Sequence, residues 1–298
     1  MSESSQLTAL LPNDVLSRVE RMRLSPQRRR TNRMRGEHLS GKGGTSIEFS
    51  DYRDYSPGDD MRYVDWNIFS RLNQPYLKLY AHEEELHVPI LLDCSASMGF
   101  EGKFELARQL AAALGVMGLM SVERVSVFPC GRAASNGASL KPCSGRASLK
   151  RFFQFLEQLQ PGGEIAIEQS IEAVLKQHRG KGIAIVISDF LTFGDVSRSF
   201  NLLHGAGLEV YGLQILGPME RNPELAGDLR FIDAETQQSL DVSSVGDLLG
   251  LYHQHRQGLE DHLADACRKR AGRFLSLTST DPLPELLFDK LVRRGWVK

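Results

Sequence analysis

The 298-residue chain carries little that would tie it to a membrane, a disulfide scaffold or a polyanion. Its longest apolar stretch, Leu110 to Met120, is about half of the roughly 20 residues a spanning helix needs. The opening residues, MSESSQLTALLPNDVLSRVERMR, offer no basic start, apolar signal core or small-residue cleavage site. The sequence therefore predicts a soluble, cytoplasmic protein with no membrane span. Cysteine is scarce: Cys94, Cys130, Cys143 and Cys267 show no C-x-x-C spacing, which argues against a zinc site of that pattern and against a disulfide framework. Lys and Arg total 36 against 37 Asp and Glu, a formal charge of -1, so no nucleic-acid partner is expected from the molecule as a whole. One local basic run, Arg28, Arg29, Arg30, Arg33 and Arg35, has no nucleic-acid fold signature beside it and reads as a solvated or acid-paired face.

Several catalytic signatures are missing as well. Neither G-x-G-x-x-G nor G-x-x-x-x-G-K-[ST] follows an apolar run, so no dinucleotide or phosphate cradle is signalled. The stretch DCSASMG lacks the first glycine of a serine-hydrolase elbow. Ser95 stands where a phosphotransferase of the haloacid dehalogenase type would need its second aspartate, the acid and base for the leaving group.

What is present divides the chain into three. Residues 1–35 hold a helix over 8 to 24 and the basic segment. Residues 36–86 mix Gly, Pro and Asp turn signals with aromatic, alternating pieces such as PYLKLYAHE, which predicts a β-rich lead-in with an edge strand around Tyr76 to Tyr80. From 87 to 298, apolar runs such as VPILLD, RVSVFPC, GIAIVISDF and LEVYGLQIL alternate with helical stretches. Strands that are continuously apolar are buried on both faces, and their alternation with helices implies right-handed crossovers in a doubly wound, mostly parallel α/β sheet. A hairpin is expected near 229–243, where LRFIDAETQQSLDVS places alternating pieces around a polar turn.

In such a sheet, ligands bind beyond the carboxyl ends of the strands where strand order reverses. Asp93 ends VPILLD and is followed at alternate positions by Ser95 and Ser97, and Asp189 ends GIAIVISD. Two strand-end aspartates with hydroxyls beside them gather hard oxygen donors, which suit Mg2+ or Mn2+. For D-x-S-x-S alone, a helix cap by Ser97 or turn hydrogen bonds by Asp93 remain equally open; the second aspartate favours metal.

These residues resemble the metal-ion-dependent adhesion site of von Willebrand factor A-like domains, and residues 87 to about 220 look like that domain. The preceding YRDYSPGDDMRYVDWNIFSR, with LYAHEEE after it, resembles the signature of the domain-of-unknown-function 58 family, over roughly 36 to 296. Its specific pattern is Arg53, Tyr55, Pro57, Gly58, Asp59, Arg62, Asp65, Trp66 and Arg71. In the site of von Willebrand A domains two serines ligate magnesium, the first and last aspartates act largely through water, and a threonine from a third loop completes the shell. Asp93, Ser95, Ser97 and Asp189 match that pattern, whereas PGGEIAIEQ places Glu164 where the threonine would stand. Glu164 either reaches the ion and fills the position a partner's acid would take, or is only a first-turn acid of its helix. Thr192 is a further hydroxyl three residues past Asp189.

The resemblance implies a bacterial, non-enzymatic interaction or adaptor module that works with a MoxR-type AAA ATPase in protein remodelling or complex maturation, its ion taking an acidic side chain of a target. The alternatives are a metal-dependent hydrolase using the strand-end aspartates and a degenerate site kept for structure. In the signature segment, Arg53, Asp59, Arg62, Asp65 and Trp66 are candidate interaction residues; an Arg62–Asp65 pair and burial of Trp66 are expected if the segment is a structural clasp.

Overall fold

A computed structural model describes residues 6–27, 31–33, 47–83, 86–131, 139–163, 167–178, 180–192, 194–223, 229–232, 239–242 and 246–298. The chain begins with α1 (Asn13–Val19), β1 (Thr31–Arg33), β2 (Ile47–Asp54), α2 (Trp66–Leu72) and β3 (Tyr76–Glu83). It continues through β4 (His87–Asp93), α3 (Lys103–Met120), β5 (Arg124–Cys130), β6 (Leu140–Cys143), α4 (Leu149–Gln158) and α5 (Ile167–Gln177). Then come β7 (Gly182–Ser188), α6 (Val196–Gly205), β8 (Leu208–Leu216), α7 (Pro218–Arg221), the antiparallel pair β9 (Leu229–Ile232) and β10 (Ser239–Val242), α8 (Gly246–Arg268) and β11 (Arg273–Thr278). A helical stretch over 283–293 follows. Two compact units result: Arg28–Glu85, and a discontinuous one formed by Met1–Gln27 with Leu86–Lys298.

The larger unit is built on a six-stranded sheet of order β11-β8-β7-β4-β5-β6, parallel throughout except for β6. Every residue of β7 and β8 is buried, as the continuous apolar runs require of strands covered on both faces. One face carries Val88, Ile90, Leu92, Ile185 and Leu213 against α1, α3, α4 and the 283–293 stretch. The other carries Leu91, Phe128, Val186 and Val210 against α5, α6 and α8. Side chains alternate between the faces because the strand period is two. The chain leaves β4 in one direction to β5 and returns to its other side through β7, so the β4/β7 boundary is where strand order reverses.

Helix α3 packs unusually close to its neighbours. A Cβ on Gly115 would lie 2.1 Å from Cζ of Phe152 in α4, so the phenyl ring rests directly on the α3 backbone. Helix α1 is shorter than the apolar spacing predicts: Pro12 is its N-cap and Glu20 its C-cap. Proline has no N–H to extend the helix backwards.

In the Arg28–Glu85 unit, β3 lies between β1 and β2. It is therefore the central strand and not an edge, since pairing partners come from segments too far along the chain to read from the strand itself.

Candidate metal centre

Asp93 and Asp189 stand on the two sides of the strand-order reversal, and both are buried. Asp93 Oδ1 accepts the Ser95 backbone N–H at 2.8 Å, and its Oδ2 accepts the Ser188 hydroxyl at 2.5 Å. Ser188 in turn accepts the Phe190 N–H at 2.9 Å. Burial, with a further contribution from the Asp189 charge, pushes the Asp93 carboxyl up from 3.8 to about 6. The same surroundings hold the Cys130 thiol well above its ordinary range, through burial first and the Asp93 charge second. Cys94 packs into the apolar core on the side of α3.

The D-x-S-x-S turn is held open by its neighbours. Ser95 Oγ and Ser97 Oγ lie 3.0 Å apart. The third loop is stitched to this turn by backbone bonds: Gly162 and Gly163 donate to Cys94 O at 3.0 and 2.8 Å, and Ala96 donates to Gly163 O at 3.0 Å. On the other side Gly131, at φ 94°, comes so close that a Cβ there would sit 2.8 Å from Ser95 N. Only glycine combines this positive φ with that approach. Ser97 does not cap α3, whose N-cap is Gly102. Asp93 does make the turn bond to Ser95, so the hydroxyls are ordered by the turn and not by the helix.

Asp189 brings in a residue the sequence reading passed over. Its Oδ2 accepts from Lys103 Nζ at 2.8 Å, and Oδ1 accepts the Leu191 N–H at 3.1 Å. The Lys103 ammonium, completely buried at 0 % exposure, also donates to Glu220 Oε1 at 2.5 Å. Burial works against its charge, but Asp189 and Glu220 together outweigh burial and leave the Lys103 pKa raised. Glu220 Oε2 accepts the Gly217 N–H at 2.7 Å, fixing the turn that opens α7. The available signal was a lysine at the first position of a helix, where the helix dipole disfavours a cation. Behind Asp189, Gln214 donates from Nε2 to its backbone carbonyl at 2.9 Å, with Oε1 buried and unpartnered.

Glu164 lies outside the described residues. Thr192 donates to Glu168 Oε2 at 3.3 Å, so its hydroxyl is engaged in the first turn of α5. Among the described residues no three His, Cys, Asp or Glu side chains converge to hold a metal, and any ion here would need serine hydroxyls. The hydroxyl pair fits one: adjacent ligands on an octahedral Mg2+ with bonds of 2.0–2.1 Å stand about 2.9 Å apart, against 3.0 Å for Ser95 and Ser97. The charge fits too: Asp189 and Glu220 bond the Lys103 ammonium, and the Asp93 carboxyl lies near enough to Asp189 to be raised by its charge.

The candidate interaction residues of the smaller unit form a different network from the one the sequence suggests. Arg62 bonds Asp60, its Nη2 to Oδ2 at 2.6 Å, and not Asp65; the pair draws the Asp60 carboxyl down to about 2. Asp65 is instead the buried anchor. It caps α2 through the Asn67 and Ile68 N–H groups at 2.9 and 3.2 Å, accepts the Tyr52 hydroxyl at 3.2 Å and pairs with Lys78 at 3.1 Å. A carboxylate that caps a helix and meets a lysine has its acceptors filled, which leaves Arg62 to its nearer neighbour. Arg53 pairs with Asp59 at 2.6 Å, and Asp59 also accepts the Ser56 N–H. Trp66 is 54 % exposed, its ring meeting Phe69 edge-on at 5.9 Å; the short helix turns the indole outwards, against the burial expected of it. Elsewhere, His262 Nε2 of α8 lies 2.7 Å from Ser197 Oγ of α6.

Comparison with known proteins adds the family. The uncharacterized proteins Mb1516 of Mycobacterium bovis and Rv1480 of Mycobacterium tuberculosis are each 28 % identical over 215 residues, covering 68 % of this chain. The chain spans 65 % of the length of these curated relatives. Among solved structures, the conserved hypothetical protein BatB from Bacteroides thetaiotaomicron aligns at 15 % identity and a TM-score of 0.45, covering 70 % of this chain and 98 % of that one. The family model described as "Protein of unknown function DUF58" matches residues 51–255, and the chain belongs to that family.

Proposed function

We propose that this chain is a non-enzymatic interaction module of von Willebrand A-like architecture whose crevice holds Mg2+ or Mn2+ and through it an acidic side chain of a partner protein. The observation that carries the reading is the Ser95–Ser97 hydroxyl pair, 3.0 Å apart beside buried Asp93 at the strand-order reversal. When bound, the ion supplies a Lewis-acidic position for a carboxylate oxygen. Ser95 and Ser97 are the direct donors, and Asp93 orients the turn that presents them. Ser188 fixes Asp93 from the neighbouring strand, and Gly131 and Gly163 hold the turn from either side. Family resemblance further suggests a MoxR-type AAA ATPase as co-worker in protein remodelling, with this chain as the adaptor.

Calorimetric titration of the EDTA-stripped chain with Mg2+ and Mn2+ tests the reading. Wild type is expected to bind one ion and Asp93→Ala none. An absence of binding to wild type would defeat the ion-dependent reading. Magnesium-dependent phosphatase or esterase turnover abolished by Asp93→Asn would replace the adaptor with a hydrolase.

A further inference from the structure

Lys103 occupies a place that local physics disfavours three times over. It sits in the first turn of α3, where the helix dipole opposes a cation; it is fully buried; and a lysine carries the most strongly hydrated of the side-chain cations. Two carboxylates hold it there. One, Asp189, is a residue of the candidate ion site, and the other, Glu220, belongs to α7 at the far end of β8. Departures of this kind from local preference concentrate at functional sites.

We propose that Lys103 is the resident counter-cation of the ion site, a positioning residue that competes with a divalent ion for Asp189 and thereby sets how tightly the ion is held, with Glu220 drawing the ammonium the other way. The inference rests on the ion site proposed above and deepens it. Asp189 and Glu220 bond the one ammonium and Asp93 lies close to Asp189, so with the three carboxylates charged the group holds three negative charges against one positive, and a divalent ion brings it to neutrality. An ion that shares Asp189 with the ammonium is repelled by it. Even water-like screening leaves that repulsion worth about tenfold in affinity. Glu220 matters because it accepts the same ammonium at 2.5 Å: the more of the lysine Glu220 holds, the freer Asp189 is to serve the ion. The ion's affinity is thus tied to the α7 turn, which Glu220 also fixes through Gly217.

The test is Mn2+ titration by calorimetry at pH 8 on the full EDTA-stripped chain, comparing wild type, Lys103→Met and Glu220→Gln, with far-UV circular dichroism as the check on folding. Removing the competitor is expected to tighten Mn2+ binding at least about tenfold. Removing Glu220 leaves the ammonium to Asp189 and is expected to weaken binding. A role confined to structure would weaken binding in both variants, so the opposite signs are diagnostic. Lys103→Met that folds but binds no tighter than wild type overturns the proposal and leaves the ion site standing. Binding by Lys103→Met where wild type shows none supports the competitor role while defeating the ion-dependent function. No binding in any of the three overturns both. Should Lys103→Met not fold, Lys103→Gln, which keeps a hydrogen-bond donor for Asp189 without the charge, takes its place, and binding no tighter than wild type there refutes the proposal.

Discussion

Replacing Asp93 by asparagine should stabilise the metal-free protein at neutral and alkaline pH. In the folded chain the Asp93 carboxyl is raised from 3.8 to about 6, by burial first and by the Asp189 charge second. A folded-state pKa above the unfolded one means that the native protein binds the proton more tightly. The associated stability is present in full below about pH 4 and is lost as pH rises through about 6. By linkage, the rise from 3.8 to about 6 corresponds to about 3 kcal/mol. Asparagine carries no charge to bury and keeps the acceptor for the Ser95 N–H. It presents an NH2 group to Ser188, however, and disturbs the hydroxyl bond there at a cost of about 1 kcal/mol. The net gain is about 2 kcal/mol at pH 8, turning into a loss of about 1 kcal/mol at pH 4. For a chain of 298 residues that gain raises Tm by about 3 °C. The assay is urea and thermal denaturation of both proteins in EDTA from pH 4 to pH 8. Saturating Mg2+ should reverse the ranking at pH 8, because ligand bound only to the folded state stabilises it by mass action. Asp93→Asn that is less stable than wild type at pH 8 in EDTA, or a difference that does not change with pH, would refute the reasoning.

Two glycines separate packing from binding. Gly131→Ala forces a Cβ to within 2.8 Å of Ser95 N at φ 94°. It should cost about 1–3 kcal/mol in denaturant melts and weaken Mn2+ binding in the same titration, since the displaced atoms belong to the turn carrying both hydroxyls. Gly115→Ala drives a methyl to 2.1 Å from the Phe152 ring. A similar stability loss is expected there, with ion affinity unchanged; a matching fall in affinity would show that the α3–α4 contact controls the site.

The sheet was legible because β4 and β7 are almost continuously apolar and β8 is apolar at most of its buried positions, and the polar residues that end the first two runs, Asp93 and Ser188–Asp189, mark the carboxyl edge. Asp93 and Asp189 could therefore be placed on that edge before any coordinates. Lys103 could not be, because its partners lie 86 and 117 residues further along the chain, and nothing in the helix sequence names them. Ser188 reads from sequence as one more residue of a buried strand, yet its hydroxyl spans the reversal to Asp93. The central position of β3 was hidden for the same reason, its register being set by β1 and β2 and not by its own alternation. Around Trp66 the rule that aromatics in turn-rich stretches pack inward failed because Asp65, one residue earlier, takes the buried place with four partners.

The larger unit is closed by segments from opposite ends of the sequence. Leu24 bridges Val297, Arg23 and Lys298 exchange backbone bonds at 2.9 and 3.0 Å, Ser25 donates to Trp296 O, and the Tyr211 hydroxyl reaches Ser25 O at 2.6 Å. Joining residues about 270 apart costs about 5 kcal/mol of chain entropy before any contact is made. On a ribosome, residues 23–25 emerge among the first of this sequence and wait for 296–298, while the described strands of the Arg28–Glu85 unit, β1 to β3, are in hand far sooner. The smaller unit can therefore fold during synthesis, whereas the seam of the larger one forms only once residues 296–298 have left the exit tunnel.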